Sequence, residues 1–221
     1  MRERIEEAKK KGGVEEVILV AATKTVEPAR IREAISCGIR DIGENRVQEA
    51  RKKIEILGRE NIRWYMIGHL QKNKVKYAIK MFDMIQSLDS LPLAEELERR
   101  LAKEGKKMPV LVEVNIGRES TKFGIFPEKL KEFIHALREY PHLECRGLMC
   151  IPPWSDNPQN TRPYFARMRE LMEEIKKENF PHVKMEILSM GMSDDFEVAI
   201  EEGANMVRLG RIIFGERKEG K

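Results

Sequence analysis

Eight short β-rich runs alternate with amphipathic helical stretches along this 221-residue chain, and the alternation leaves few folds open. Strands are expected at 17–24, 39–43, 62–67, 84–89, 109–115, 144–151, 184–190 and 206–210. Helical patterns fall between them at 28–37, 44–57, 71–81, 91–105, 127–140, 160–179 and 194–203. Pro28, Pro92 and Pro127 mark helix starts, and Gly38, Gly58, Gly105 and Gly203 mark stops. Eight βα units in sequence favour a (β/α)8 TIM barrel over an open doubly wound sheet, and the length suits one domain spanning 1–221. No linker, low-complexity segment or longer repeat interrupts the alternation.

Composition narrows the partners. Charged residues make up 35% of the chain, above the roughly 25% of an average globular protein, a Lys/Glu-rich bias associated with thermophiles. The net charge is only +4, and both signs are interspersed along helices, so nucleic acid is not implied. Cys37, Cys145 and Cys150 fit no metal-ligand spacing and suit a reducing cytoplasm; five apart on one strand, Cys145 and Cys150 are expected on opposite faces. The N-terminus mixes both charges and has no apolar segment, so neither export nor a membrane span is expected.

A barrel places its chemistry at the C-terminal ends of its strands, often with a phosphate site after strands seven and eight. Lys24 closes the apolar run Val17 to Ala22 and Thr23. A lysine against low-dielectric walls loses solvation of its ammonium form, so its neutral, nucleophilic amine becomes accessible, as a Schiff base requires. For a lone lysine an ordinary solvated strand end is the commoner case, but the far end of the chain supplies matching groups. Strand seven is followed by Ser189-Met190-Gly191-Met192-Ser193-Asp194-Asp195 and strand eight by Arg208-Leu209-Gly210-Arg211. Gly191 and Gly210 let backbone amides approach an anion, Ser193 offers a hydroxyl, and the helix beginning near Asp194 is expected to present free N–H groups.

Other strand ends add Asn45, a helix N-cap or a ligand contact, together with Glu113, Asn115 and His69. His69 is the one histidine expected at the functional end; His142 and His182 each follow a proline in a loop entering a strand, and His135 lies within a helix. Lys122 is a second amine at the same mouth, where pairing with Glu119 is the favoured reading.

These residues fall within LVAATKT, IGENRVQE at 42–49, WYMIGHLQKNK at 64–74, VNIGRESTKFG at 114–124, GLMCIP at 147–152 and LSMGMSDDFEVAIEEGANMVRLGRIIFG at 188–215. In that order the motifs resemble the pyridoxal phosphate (PLP) homeostasis protein family, from about residue 14 to 216. The resemblance implies a barrel like that of alanine racemase, with PLP held as a Schiff base on Lys24. It further implies Asn45 near the ring, Ser189, Ser193, Gly210 and Arg211 around the phosphate, and Arg208 at the pyridine nitrogen; the strand-end position of His69 adds it to the same cofactor site. It implies a cytoplasmic monomer that buffers PLP, with apo-PLP enzymes as recipients and neither catalytic turnover nor a metal.

Two features depart from the family pattern: Arg211 stands where many members have a small hydroxyl residue, and the N-terminal helix is shorter than usual. The rival reading is a PLP-dependent racemase on the same barrel. That enzyme needs an acid/base on the opposite face of the cofactor, usually a tyrosine from an extra β domain, for which a chain ending at Lys221 is expected to have no room. A class I aldolase is weaker still, because no carboxylate relay is evident around Lys24.

Overall fold

The computed structural model describes residues 1–178, 180 and 183–216. Eight parallel strands close into a barrel in chain order: β1 (Ile18–Ala22), β2 (Asp41–Glu44), β3 (Arg63–Met66), β4 (Met84–Leu88), β5 (Met108–Val114), β6 (Leu143–Cys150), β7 (Val183–Ser189) and β8 (Met206–Leu209). Each expected strand is present: β5, β6 and β7 keep their expected length one residue earlier, β1, β3, β4 and β8 are trimmed at their ends, and β2 starts later but runs on to Glu44. The barrel closes where β8 pairs with β1, Val20 opposite Arg208 and Ala21 opposite Leu209.

The helices are α1 (Arg2–Gly12), α2 (Pro28–Ser36), α3 (Val47–Leu57), α4 (Val75–Met81), α5 (Leu91–Glu104), α6 (Leu130–Ala136), α7 (Arg162–Lys176), α8 (Phe196–Glu201) and α9 (Arg211–Phe214). Helix α5 shows why these segments are helical: Leu93, Ala94, Leu97 and Leu101 form one buried stripe, Pro92 fits the first turn, and Gly105 ends it at φ 61°. Several expected bounds shift: 71–81 and 160–179 open on 3-10 turns before α4 and α7, and α8 is shorter than 194–203. Helix α3 starts at 47, because Glu44 still belongs to β2, and the stretch 127–140 divides into a 3-10 turn, α6 and a second 3-10 turn. Helix α1 is absent from the hydrophobic pattern because only Ile5 and Ala8 are buried. Ion pairs Arg4–Glu197 (2.6 Å) and Lys11–Glu201 (3.1 Å) tie it to α8 instead. Among the described residues no helix is long and apolar enough to cross a membrane. His182 lies outside the described residues.

Side chains divide into two cores. Val20, Tyr65, Ile67, Met84, Leu111, Met149 and Met206 fill the barrel, while the larger outer core lies between sheet and helices. Cys145 and Cys150 both belong to that outer core, which corrects the expectation that they face opposite sides. The cause is a bulge in β6: Val110 pairs with Cys145 and Leu111 with Gly147, so Arg146 is skipped and the alternation resets. Gly147 makes the bulge possible at φ 150°, where an added Cβ would lie 1.9 Å from the Ile187 carbonyl oxygen. Gly147→Ala is therefore expected to destabilise the fold by about 3 kcal/mol or more, combining backbone strain with a clash in the wall. Gly105→Ala, at φ 61° and ψ 31° with open space around it, is expected to cost only about 1 kcal/mol. Denaturant unfolding of the two variants checks the contrast.

Candidate functional site

The strand ends converge on one mouth, and the site is built from three groups of residues there. The first lies over β1 to β3. Val20 and Ala22 face the barrel interior, so alternation carries Lys24 to the mouth on the same side. Lys24, Asn45 and His69 line one cleft of about 720 Å³ together with Thr25, Arg46, Gln48, Glu49, Gly68, Gln71 and Lys74. Asn45 is not a helix N-cap; Arg46 takes that position in α3. Gly68 keeps the cleft narrow at its base, since a Cβ there would come within 2.6 Å of the Asn45 carbonyl oxygen. His69 is oriented twice, by an Nδ1 contact to Asp89 Oδ2 at 2.8 Å and by stacking on Phe123 with ring centres 3.7 Å apart.

The second group follows β7 and β8. The Ser193 hydroxyl oxygen accepts from the amides of both Gly210 and Ile212, each at 3.3 Å, so donors converge at the start of α9. Gly210 lies against β1, where a Cβ would sit 3.3 Å from the Ala22 carbonyl oxygen. This places the donors beside the strand that ends at Lys24. Arg211 adds a guanidinium paired with Asp194. Near Asp194 the helix α8 begins later than expected, at Phe196, and the N–H groups of Asp195 and Phe196 both bond to the Met192 carbonyl.

The third group lies beneath the mouth. Arg208 is buried, donating to Ser189 Oγ at 2.6 Å and to the Cys150 carbonyl at 2.7 Å. Ser189 is fully buried and donates in turn to Gln86 Oε1 at 2.8 Å. The hydroxyl of Ser189 thus supports Arg208 and stands apart from the Ser193–Gly210 group. Burial draws the Arg208 pKa below its ordinary value, opposed by Cys150, Glu113 and Asp195. Lys122 is paired with Glu119 at 2.5 Å and donates to the Pro152 carbonyl at 3.1 Å, as its loop position suggested. Asn115 knits that loop through the carbonyls of Glu119 and Lys122.

Gln86 escaped the sequence reading, although an amide inside the apolar run Met84–Leu88 was a usable signal. Glu44, Glu49 and Lys53 also escaped it, and the carboxylates judged missing around Lys24 lie behind it, bonded to Lys53. The donor set fits PLP: a primary amine for an aldehyde, converging amides, a hydroxyl and a guanidinium for a phosphate, and a buried arginine for a ring nitrogen.

Barrel and site together define the class. The family model described as alanine racemase, N-terminal domain, matches residues 1–218, and an alanine racemase of Clostridium difficile shares the fold at a TM-score of 0.67 and 16% identity, over 98% of this chain and 57% of that one. Narrower likenesses exist. A pyridoxal phosphate homeostasis protein of Aquifex aeolicus is 49% identical over 218 residues, 98% of this chain and 95% of that protein. The structure of PipY from Synechococcus elongatus with PLP bound aligns at a TM-score of 0.83 and 34% identity, over 96% of this chain and 100% of that one. The chain belongs to the pyridoxal phosphate homeostasis protein family.

Glu113, buried at the mouth end of β5, has its pKa pushed up to about 7 by desolvation and by Asp89, against the opposing charge of Arg208. A carboxyl whose folded pKa exceeds its unfolded value favours the folded state below the unfolded pKa, and this advantage disappears as pH rises to about 7. The ligand-free protein is therefore expected to lose stability between about pH 4.5 and 7 through this group, by up to about 3 kcal/mol. Glu113→Gln is expected to flatten that slope in unfolding free energies measured across the range; an unchanged slope counts against the assignment.

Proposed function

We propose that this chain is a PLP carrier, holding the cofactor reversibly on Lys24 and buffering its free concentration. The observation that carries the reading is the shared position of Lys24 with Asn45 and His69 in one cleft, beside the donors of Ser193, Gly210 and Ile212. The names of the relatives, and the PLP bound in PipY, support it.

When bound, PLP supplies an aldehyde carbon; the neutral amine of Lys24 adds to it and one water leaves, giving a C=N bond that water reverses. Ser193, the amides of Gly210 and Ile212, and Arg211 would hold the phosphate, whose charge and acceptor oxygens match this set. Asn45 and His69 would line the ring. Ser189 acts one step removed, fixing Arg208, which would meet the ring nitrogen.

No turnover of amino acids is proposed. An arginine donates and does not accept, so at a ring nitrogen Arg208 would keep that atom unprotonated and weaken the ring as an electron sink. Among the described residues no tyrosine lines the Lys24 cleft. Tyr65 directs its hydroxyl to Asp41 at the other end of the barrel, and burial raises its pKa. Tyr77 is on α4, Tyr140 precedes β6 and Tyr164 is on α7. The reading includes one domain over residues 1–221, a cytoplasmic monomer, and apo-PLP enzymes as recipients.

Borohydride reduction of the PLP-loaded protein followed by peptide mass spectrometry is expected to place a pyridoxyl phosphate group on Lys24. Lys24→Ala is expected to lose that adduct while remaining folded; a full adduct on Lys122 would refute the assignment. Ser193→Ala is expected to weaken PLP binding by about 1 kcal/mol, the scale of one hydrogen bond. Pyridoxal, lacking the phosphate, is expected to bind far more weakly than PLP. Incubation with L- and D-alanine in deuterated water, followed by NMR, is expected to show no enzyme-like exchange of the α-proton; exchange abolished by Lys24→Ala would make the protein a racemase.

A further inference from the structure

Lys24 sits between two residues that are gripped from behind the barrel wall. The carbonyl of Thr23 accepts from Lys53 Nζ at 2.5 Å, while the Thr23 hydroxyl donates its one hydrogen to the Glu44 carboxylate, with the Gly43 carbonyl 3.2 Å away. On the other side, the amide of Thr25 donates to Glu49 Oε1 at 2.6 Å. Lys53 joins the two grips, bonding Glu44 Oε1 and Glu49 Oε1 at 2.7 Å each. Glu44 is fully buried and Lys53 is 5% exposed.

Two features argue that this cluster does more than fill space. An ammonium group is an unfavourable filler behind a sheet, because its desolvation is costly and an apolar side chain of similar volume would pack as well. All the bonds of Lys53 nevertheless converge on Thr23 and on two carboxylates that themselves hold Thr23 and Thr25. Thr25 also has a φ of 64°, a left-handed conformation for a β-branched residue. Such a conformation persists only where the surroundings over-determine it.

We propose that Lys53 is a positioning residue for Lys24. With Glu44 and Glu49 it fixes the turn Thr23-Lys24-Thr25, so that the amine leaves β1 toward the cleft shared with Asn45 and His69. Lys53 acts through the backbone and touches neither cofactor nor reacting atoms. The inference rests on the reading of Lys24 as the residue that carries PLP.

The test uses Lys53→Met and Lys53→Gln in the full chain. PLP is mixed with each protein, borohydride stops the reaction at timed intervals, and mass spectrometry measures the pyridoxyl label on the Lys24 peptide. Affinity for pyridoxine 5′-phosphate, which has the phosphate and ring but no aldehyde, is measured separately, and thermal unfolding reports the fold. Labelling at Lys24 is expected to slow by on the order of tenfold to a hundredfold, with the affinity for pyridoxine 5′-phosphate essentially unchanged. Parent-like labelling in the folded variants, or an equal loss of labelling and affinity, overturns the proposal. Should Lys53→Met not fold, Lys53→Gln decides, because its amide keeps a donor for the buried Glu44 carboxylate while removing the ammonium that joins Glu44, Glu49 and Thr23. Labelling of the parent protein at a lysine other than Lys24 overturns the Lys24 reading itself, and this inference with it.

Discussion

The pairing of β8 with β1 is the constraint on which the site depends. A parallel sheet of eight strands has no free edge only if its last strand returns to its first. That closure sets Gly210 against Ala22, near opposite ends of the chain. Neither end carries a complete site. The amine arrives on the first strand, the converging amides and hydroxyl on the last two, and the barrel brings them to one rim.

Beneath that rim the interior changes character. The lower barrel is filled by Val20, Tyr65, Met84, Leu111, Met149 and Met206, whereas the layer above holds Gln86, Ser189 and Arg208 in one chain of hydrogen bonds. A buried guanidinium is tolerated when its donors are met, and here Ser189 and the Cys150 carbonyl meet them. The same order appears behind β1, where Lys53 neutralises Glu44 out of reach of solvent. Around the mouth, buried charge is thus concentrated where the backbone or a basic group has to be held in one place.

The architecture was legible because eight alternating runs, bounded by Pro28, Pro92, Gly58 and Gly105, each leave a local periodic signal. Lys24, Asn45 and Ser193 were also legible, since each follows a strand at the rim where barrels bear ligands. What escaped depended on partners distant in sequence. The role of Ser189 followed from Gln86 and Arg208, which no local window brings together, and Lys53 looks like any helix lysine until Thr23 is seen behind it. Helix α1 left only a weak periodic signal for a different reason: Ile5 and Ala8 are its only buried residues, and it packs on α8 through the close approach of Gly12. The bulge at Gly147 defeated the simple alternation rule for Cys145 and Cys150, as one inserted residue reverses every face beyond it.

That bulge has a chemical consequence. Thiolates compete with amines for aldehydes, and a protein handling a reactive aldehyde is exposed to side reactions on its own surface. Because the bulge places both Cys145 and Cys150 in the outer core, burial pushes their pKa values to about 12, which keeps them protonated and inaccessible. Cys37, the exposed thiol, stands at the C-terminal end of α2, and that helix runs away from the rim. The barrel therefore keeps its three thiols away from its functional amine: two lie in the outer core and the third at the far end of α2.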